Sequence, residues 1–289
     1  MSLSEGSLKA FVKNATRAAV PLLLRKRIAV WVHKQEWIEH SRRTWWATEL
    51  IRDFVQRDPN AYHKFLWSHH LAYAAPYEVK ARFGADSIRA SRQIFFSHLC
   101  KQLTEMGVDR LEVRSVYEVG CSLGYQLRYM ETDLFPSAKT LEGVDIDQYA
   151  IHSGMEYLRS VRSNVSLKCG DMQQLNDSLG NRHYDIIVCT GVLMYLTESE
   201  ATEVVRGMLS HCRVLLAIAG LAHPTLDNAL FDCSEVRSND HTFIHNIDRM
   251  VQVAGGKVVG RRWDGSRLVD GQTIYFVFAA QQETHKNET

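Results

Sequence analysis

The chain has 289 residues, of which 45% are hydrophobic and 23% are charged, and its formal net charge at pH 7 is +1. This length allows a complete α/β domain with an additional segment, and the near-neutral charge argues against a bulk nucleic-acid-binding role. The six cysteines form no C-x-x-C pair, so neither a zinc knuckle nor a disulfide framework is indicated. No apolar run approaches the roughly 20 residues of a membrane span, and we expect a cytoplasmic protein with reduced thiols.

Positive charge is concentrated near the start of the sequence. Between residues 9 and 43 there are nine lysines and arginines but only two glutamates. Large apolar side chains are interleaved with these charges, or follow them closely, among them Trp31, Trp37, Trp45 and Trp46. This mixture is typical of a segment that contacts an anionic membrane or an acidic partner. It also fits a helical layer whose tryptophans pack on the main domain, and the sequence leaves both interpretations open.

Residues 45–106 keep the spacing of helices, with an interruption at residues 58–60. A polar and aromatic cluster lies between these helices and consists of Trp67, His69, His70, Tyr73, Tyr77, Arg82 and Phe83. A helical segment just ahead of a first strand can cover the cleft above a sheet, so this cluster is a candidate substrate-facing wall. Residues at an interface between the cap and the sheet would give the same pattern.

Residues 116–130 predict a strand, a glycine turn and the start of a helix. The apolar run breaks at Gly120, and helical spacing resumes after Gly124. Such a turn brings backbone N–H groups up to a ligand, as in the nucleotide-binding turns of parallel sheets. A dinucleotide-binding turn would have glycine at Ser122, and the Glu118 carboxylate would repel a pyrophosphate. Both features favour a ligand that carries positive charge.

Acidic residues follow the next two predicted strands. The second strand ends near Asp145, and the third, residues 165–169, is followed by Gly170-Asp171-Met172. A carboxylate at the end of a second strand is well placed to accept hydrogen bonds from ribose hydroxyls, with Asp147 the weaker candidate. The fourth strand is predicted over residues 184–190.

Two histidines follow the predicted fifth strand, residues 213–219. His241 and His245 are four residues apart, so they would share one face of a helix predicted over residues 242–253. Their spacing could hold a metal ion, but Thr242 stands where the metalloprotease motif has glutamate, and we predict no metal site. The other interpretations are a general base, from His241, His245 or the nearby His223, and histidines that cap or solvate a lid.

The pattern acid-x-Gly-x-x-x-Gly, here Glu118 to Gly124, resembles motif I of the class I S-adenosylmethionine-dependent methyltransferases. Together with the later motifs, the resemblance covers roughly residues 111–281. It implies an α/β, Rossmann-like sheet of seven strands whose last strand is antiparallel. It also implies that S-adenosyl-L-methionine is held by Glu118, Gly120, Ser122, Gly124, Asp145, Asp171, Met172 and Thr190.

The helical spacing ahead of the first strand predicts a helical N-terminal cap over residues 1–110, the resemblance implies a methyltransferase domain over residues 111–281, and the end of the sequence predicts a disordered tail over residues 282–289. We hypothesise methyl transfer to a small-molecule or glycan-like acceptor, with O-methylation favoured over N-methylation. The candidate catalytic residues are His245, His241 and Tyr73. The Asp/Asn-Pro-Pro-Tyr pattern of nucleobase amino methylases is absent, and no nucleic-acid partner is expected.

Two alternatives remain. The first is a methyltransferase-like binding module without activity, which the intact acids at Glu118, Asp145 and Asp171 disfavour. The second is an NAD-binding oxidoreductase, which Glu118 and Ser122 disfavour. The sequence indicates no oligomeric state.

Overall fold

A computed structural model describes residues 20–72, 79–84 and 88–282. The chain divides into two compact units, one up to Tyr77 and one from Glu78 onward. Among the described residues, no helix is long and apolar enough to cross a membrane.

The first unit contains four helices in its described part: α1 (Leu22–His33), α2 (His40–Ile51), α3 (Phe54–Arg57) and α4 (Pro59–Ser68). Helices α1 and α2 form a hairpin whose core includes Ala29, Ala47 and Ile51, all fully buried. Small side chains at such positions let two helices approach closely. Arg25 is also buried, and its Nη2 atom lies 3.0 Å from Oδ2 of Asp53, so the charge in this small core is paired.

The second unit is built on strands β1 (Ser115–Val119), β2 (Thr140–Asp145), β3 (Val165–Cys169), β4 (Tyr184–Thr190), β5 (Cys212–Ala219), β6 (Glu235–Val236), β7 (Phe243–Ile244), β8 (Gly256–Val269) and β9 (Gln272–Gln281). In the described part, seven of them form one sheet in the order β3-β2-β1-β4-β5-β9-β8. Strand β9 runs antiparallel to β5 and β8, and the pairs among β1 to β5 are parallel. The predicted seven-stranded sheet with an antiparallel last strand is confirmed.

The sheet is buried on both faces. In β4, for example, Ile186 and Val188 pack in one apolar cluster, whereas Ile187 and Cys189 pack in another. Strands covered on both faces are nearly continuous apolar runs, which is why β4 is readable in the sequence. The helices of this unit are α5 (Val79–Arg82), α6 (Ala90–Glu105), α7 (Tyr125–Tyr129), α8 (Gln148–Ser160), α9 (Leu175–Leu179), α10 (Glu198–Ser210) and α11 (Ile247–Val253).

Helix α6 packs directly on the last strand of the sheet. The ring of Phe95 lies 5.6 Å from the ring of Phe276 and 5.8 Å from that of Phe278, measured between centroids. Its position in the sequence, before residue 110, predicts that this helix is part of the N-terminal cap. In the structure it belongs to the second unit, because its apolar face completes the core of the sheet.

The helix predicted over residues 242–253 is wrong at its start. Phe243 and Ile244 form β7, which pairs with β6, and α11 begins only at Ile247. Asn246 caps α11 by accepting a hydrogen bond from the backbone N–H of Arg249 at 2.9 Å. An asparagine that satisfies a first-turn N–H fixes the helix start at this point. The predicted tail begins at Gln282, and residues 283–289 lie outside the described residues.

Candidate functional site

The turn after β1 has a backbone that suits glycine at two positions. Gly120 and Gly124 have φ angles of +74° and +77°, and Ser122 between them also lies in the left-handed region at +50°. A Cβ atom at Gly120 would lie 2.2 Å from Cγ2 of Val192, which is closer than any real contact. The turn is therefore packed tightly against the segment that follows β4.

Asp145, at the end of β2, is fixed by this turn. Its Oδ2 atom accepts a hydrogen bond from the backbone N–H of Ser122 at 2.8 Å, and its Oδ1 atom accepts one from the N–H of Asp147 at 2.9 Å. Each carboxylate oxygen can accept a further hydrogen bond. Asp147 itself is buried and caps α8 through the N–H groups of Tyr149 and Ala150. The two neighbouring acids thus differ, and Asp145 is the one held beside the turn.

Glu118 is fully buried on β1. Its Oε1 atom accepts a hydrogen bond from Nε2 of Gln126 at 2.8 Å, and the same amide lies 3.0 Å from Oγ1 of Thr190 at the end of β4. The other carboxyl oxygen, Oε2, is buried and has no hydrogen-bond partner among the described residues. Burial raises the pKa of Glu118 well above its usual range, and the positive charge of Arg92 opposes that rise.

Asp171 and Met172 follow β3 and are half-buried. Asp171 accepts a hydrogen bond from the backbone N–H of Gln173 at 3.0 Å and so begins a single helical turn. The side chain of Met172 packs against an apolar cluster on the sheet. All eight predicted cofactor-binding residues therefore lie at the carboxyl ends of β1 to β4 or in the turns that follow.

A cleft of about 180 Å³ opens beyond the carboxyl ends of β4 and β5. Because β9 is antiparallel, its first residues reach the same edge of the sheet. Residues from α6, from the segments after β4 and β5, and from β9 line the cleft, including Arg92, Gly191, Tyr195, Leu221 and Thr273. The cleft is lined by both polar and apolar groups, which is typical of a small-molecule site.

Arg92 is the residue that sequence reasoning missed. One of its terminal nitrogens, Nη2, lies 3.4 Å from the place that a Cβ of Gly191 would occupy. Its half-buried guanidinium makes no hydrogen bond with the residues that the structure describes, although its charge acts on Glu118. A helix face of Phe95 and Leu99 is visible in the sequence, but the contact of α6 with the sheet, which brings Arg92 to the cleft, is not.

His241 and His245 do not share a helical face, which corrects the sequence prediction. Both precede α11, and His241 lies in a turn with φ +58°. His245 is buried: its Nε2–H donates to the carbonyl oxygen of Leu193 at 2.9 Å, and its Nδ1 accepts from Oγ of Ser234 at 2.7 Å. These hydrogen bonds favour a structural role for His245, while the predicted catalytic roles of both histidines stay predictions.

The remaining predicted residues are only partly described. Tyr73 and Tyr77 lie outside the described residues. Phe83 stacks on Tyr157 of α8 with centroids 4.1 Å apart, which supports an interface role for this member of the cluster. Over residues 20–72, 79–84 and 88–282, no group of three His, Cys, Asp or Glu side chains is arranged to hold a metal ion.

Replacement of His245 by alanine is expected to lower the free energy of unfolding by about 2–4 kcal/mol, because the Leu193 carbonyl loses one of its two donors, the Ser234 hydroxyl loses its acceptor and a cavity forms. Chemical denaturation measures this loss, with His241→Ala as the control that changes stability little. Stability that is unchanged in His245→Ala, together with turnover lowered about 10²-fold or more, would restore the role of general base.

The same histidine gives a pH dependence. Burial lowers the pKa of His245 below its ordinary value of 6.5. The unfolded chain therefore binds this proton first as the pH falls below about 6.5, so the histidine's contribution to stability declines from there down to the folded-state pKa. His245→Ala should remove this part of the acid sensitivity.

Comparison with known proteins agrees with this geometry. Residues 116–214 match the family model of a methyltransferase domain. A comparison with curated proteins found no match. Similar solved structures include magnesium protoporphyrin IX methyltransferase from Synechocystis PCC 6803 with bound SAM, which is 15% identical with a TM-score of 0.48, covering 81% of this chain and 97% of that one.

N-methyltransferase NodS from Bradyrhizobium japonicum WM9, in complex with S-adenosyl-L-homocysteine, is 16% identical with a TM-score of 0.47, covering 71% of this chain and 97% of that one. CcbJ methyltransferase from Streptomyces caelestis is 15% identical with a TM-score of 0.48, covering 68% and 90%. The family-model match over residues 116–214 confirms the predicted resemblance to class I S-adenosylmethionine-dependent methyltransferases.

Proposed function

We propose that this chain uses S-adenosyl-L-methionine to methylate a small-molecule or glycan-like acceptor, with O-methylation favoured over N-methylation. The observation that carries the proposal is the Asp145 carboxylate, held by backbone N–H groups beside the tight turn at Gly120. This turn and carboxylate lie on the same edge of the sheet as the cleft. A cofactor site and an acceptor site are thus available side by side.

The residues present fit the cofactor. S-adenosyl-L-methionine, when bound, supplies a methyl group on positively charged sulfur. Gly120 and Gly124 let the backbone approach a ligand, and Asp145 keeps acceptor capacity for ribose hydroxyls. Asp171 would contact the edge of the adenine ring, and Met172 would pack on its face.

The methionine end of the cofactor carries both an ammonium and a carboxylate. The buried Glu118, whose Oε2 lacks a partner in the described chain, and the guanidinium of Arg92 provide opposite charges at one edge of the sheet. Gln126 links Thr190 to this site, because its side-chain amide donates to both Glu118 and Thr190. We therefore add Arg92 to the proposed cofactor-facing residues, because a zwitterion is best held by one group of each sign.

The acceptor would enter the cleft lined by Tyr195 and Thr273. A volume of about 180 Å³ suits one small group, such as the reacting end of a sugar or of another small molecule. Methyl transfer from sulfur requires alignment and exclusion of water more than acid–base chemistry, and the enclosing segments after β4 and β5 serve both needs. A base is required only for a hydroxyl or a protonated amine. Cytoplasmic location stays a prediction.

A methyltransferase-like module without activity is the competing function. It would keep the fold, but a buried carboxyl with an unpartnered oxygen, such as Glu118 has within the described residues, would only lower its stability. The fixed Asp145 and the buried Glu118 both favour a working site. Transfer of a labelled methyl group to an acceptor separates the two functions.

Calorimetry with the purified chain tests the proposal first. We expect S-adenosyl-L-methionine to bind and NAD not to bind, because a cationic ligand favours the ionised form of Glu118, whereas a pyrophosphate is repelled by that form. A screen of hydroxyl and amine acceptors with methyl-labelled cofactor then reports turnover. Tighter binding of NAD would contradict the assignment of S-adenosyl-L-methionine as the cofactor. Binding of S-adenosyl-L-methionine without turnover on any acceptor class would favour the methyltransferase-like module without activity.

A further inference from the structure

Four of the six tryptophans lie on the α1–α2 hairpin and are exposed. The exposed fractions are 61% for Trp31, 79% for Trp37, 47% for Trp45 and 53% for Trp46. Indole rings are mostly buried in folded proteins, so a group of exposed rings marks an interaction surface. We call these four residues the tryptophan cluster.

The tryptophan cluster lies in the loop of the hairpin and on the helices beside it. Trp31 is in the last turn of α1, Trp37 is in the loop, and Trp45 and Trp46 are in the middle of α2. Trp45 and Trp46 contact each other edge to face with centroids 5.0 Å apart. The indole N–H of Trp37 donates to Oε1 of Gln35 at 3.2 Å, so its polar edge is satisfied while the ring faces solvent.

Basic side chains lie among these rings. Arg27 is four residues before Trp31 on the same face of α1, and Lys34 and Arg42 flank the loop. All three are exposed. Glu36 and Glu39 lie in the same loop, and Oε2 of Glu39 is 4.0 Å from Nε of Arg42, so the three basic residues outnumber these two acids by only one. The surface therefore combines amphipathic rings with positive charge.

We propose that the tryptophan cluster, with Arg27, Lys34 and Arg42, binds the headgroup region of an anionic lipid bilayer. Indoles prefer this region because it is apolar on one side and wet on the other, and lysine and arginine beside them attract acidic lipids. The centre of a protein–protein interface is depleted of charge, whereas here cations alternate with the rings, which favours lipid over a protein partner. The binding goes beyond methyl transfer and does not depend on it.

Flotation of the full-length chain with vesicles tests this proposal. We expect binding to vesicles of phosphatidylcholine with about 30% phosphatidylglycerol, weak binding to phosphatidylcholine alone, and a decline as salt rises. Tryptophan emission should shift to shorter wavelength in the anionic vesicles. Absence of flotation at low salt, or binding equal for both vesicle types and indifferent to salt, would overturn the proposal.

Matched variants separate the contribution of the tryptophan rings from that of the basic side chains. Replacing Trp31, Trp37, Trp45 and Trp46 with serine should reduce the vesicle partition coefficient at least tenfold, whereas Leu230→Ser with Leu268→Ser, also exposed, should not change it. Lys34→Gln with Arg42→Gln should reduce it about 30-fold, which corresponds to about fivefold per basic residue. The charge control is Arg159→Gln with Arg162→Gln, two exposed arginines of the second unit.

Two further readouts keep the result specific. The four-serine variant should retain wild-type helicity and cofactor affinity, so loss of vesicle binding cannot be assigned to misfolding or to failure of the proposed function. Sedimentation without vesicles tests the rival hypothesis that a second copy of this chain binds the tryptophan cluster. Self-association that disappears in the four-serine variant, with no vesicle binding by the wild type, would make the surface an interface between copies and refute the lipid proposal.

Discussion

Replacing Gly120 with alanine is expected to reduce cofactor affinity about 100-fold or more and to lower the free energy of unfolding by about 2–5 kcal/mol. The first cause is the φ angle of +74°, which costs an L-residue about 1–2 kcal/mol. The second is the added Cβ, 2.2 Å from the side chain of Val192, which forces the turn or the segment after β4 to move. Calorimetry and chemical denaturation measure the two losses.

Gly271 offers a matched control for this experiment. Its φ angle is +71°, but a Cβ there would meet no atom within 4 Å. Gly271→Ala should therefore show only the conformational cost and keep cofactor affinity. Adding Val192→Ala to Gly120→Ala should recover part of the affinity. Equal effects of the two glycine substitutions would show that the contact with Val192 does not position the turn.

Asp145→Ala is expected to weaken cofactor binding by about 1.5–3 kcal/mol, or about 10- to 150-fold, because a charge-assisted pair of hydrogen bonds to ribose is lost. The substitution also leaves the N–H groups of Ser122 and Asp147 without their acceptor. Stability should fall along with affinity. Calorimetric titration of the variant measures the change.

Asp147→Ala is the control, because this neighbouring acid caps α8. It should cost about 1 kcal/mol of stability, as the loss of an N-cap does, and leave cofactor affinity close to that of the wild type. Loss of cofactor affinity in Asp147→Ala but not in Asp145→Ala would show that Asp147, and not Asp145, binds the cofactor. Unchanged affinity in both variants would show that neither acid binds the ribose.

The central strands could be predicted from the sequence because their signal is local. Strands β3 and β4 have the bounds that their apolar runs indicate, and the turn at Gly120 falls where the run of β1 ends. A strand buried on both faces needs an unbroken run of apolar residues, and the glycines mark the place where left-handed backbone is required. The same residues supported the cofactor assignment.

The second half of the site could not be predicted, because it depends on contacts between distant residues. The cleft forms where α6, the segment after β4 and the first residues of β9 meet, and Arg92 is brought there by the packing of Phe95 on Phe276. The helix predicted over residues 242–253 is wrong at its start for a local reason. Asn246 is a capping residue, and its hydrogen bond to the first turn determines where α11 begins, whereas the four-residue spacing of His241 and His245 does not by itself form a helix.

The buried carboxyl of Glu118 has a consequence for how the cofactor arrives. With the pKa of Glu118 raised by burial, the protonated acid is populated well above the pH at which an exposed glutamate loses its proton. A ligand with an ammonium and a sulfonium would stabilise the ionised form and drive the proton out, so association and proton release become linked. Affinity should then increase as the pH rises towards the pKa of the ligand-free protein and level off above it. An acid hidden behind the turn would in this way make cofactor loading sensitive to pH without touching solvent.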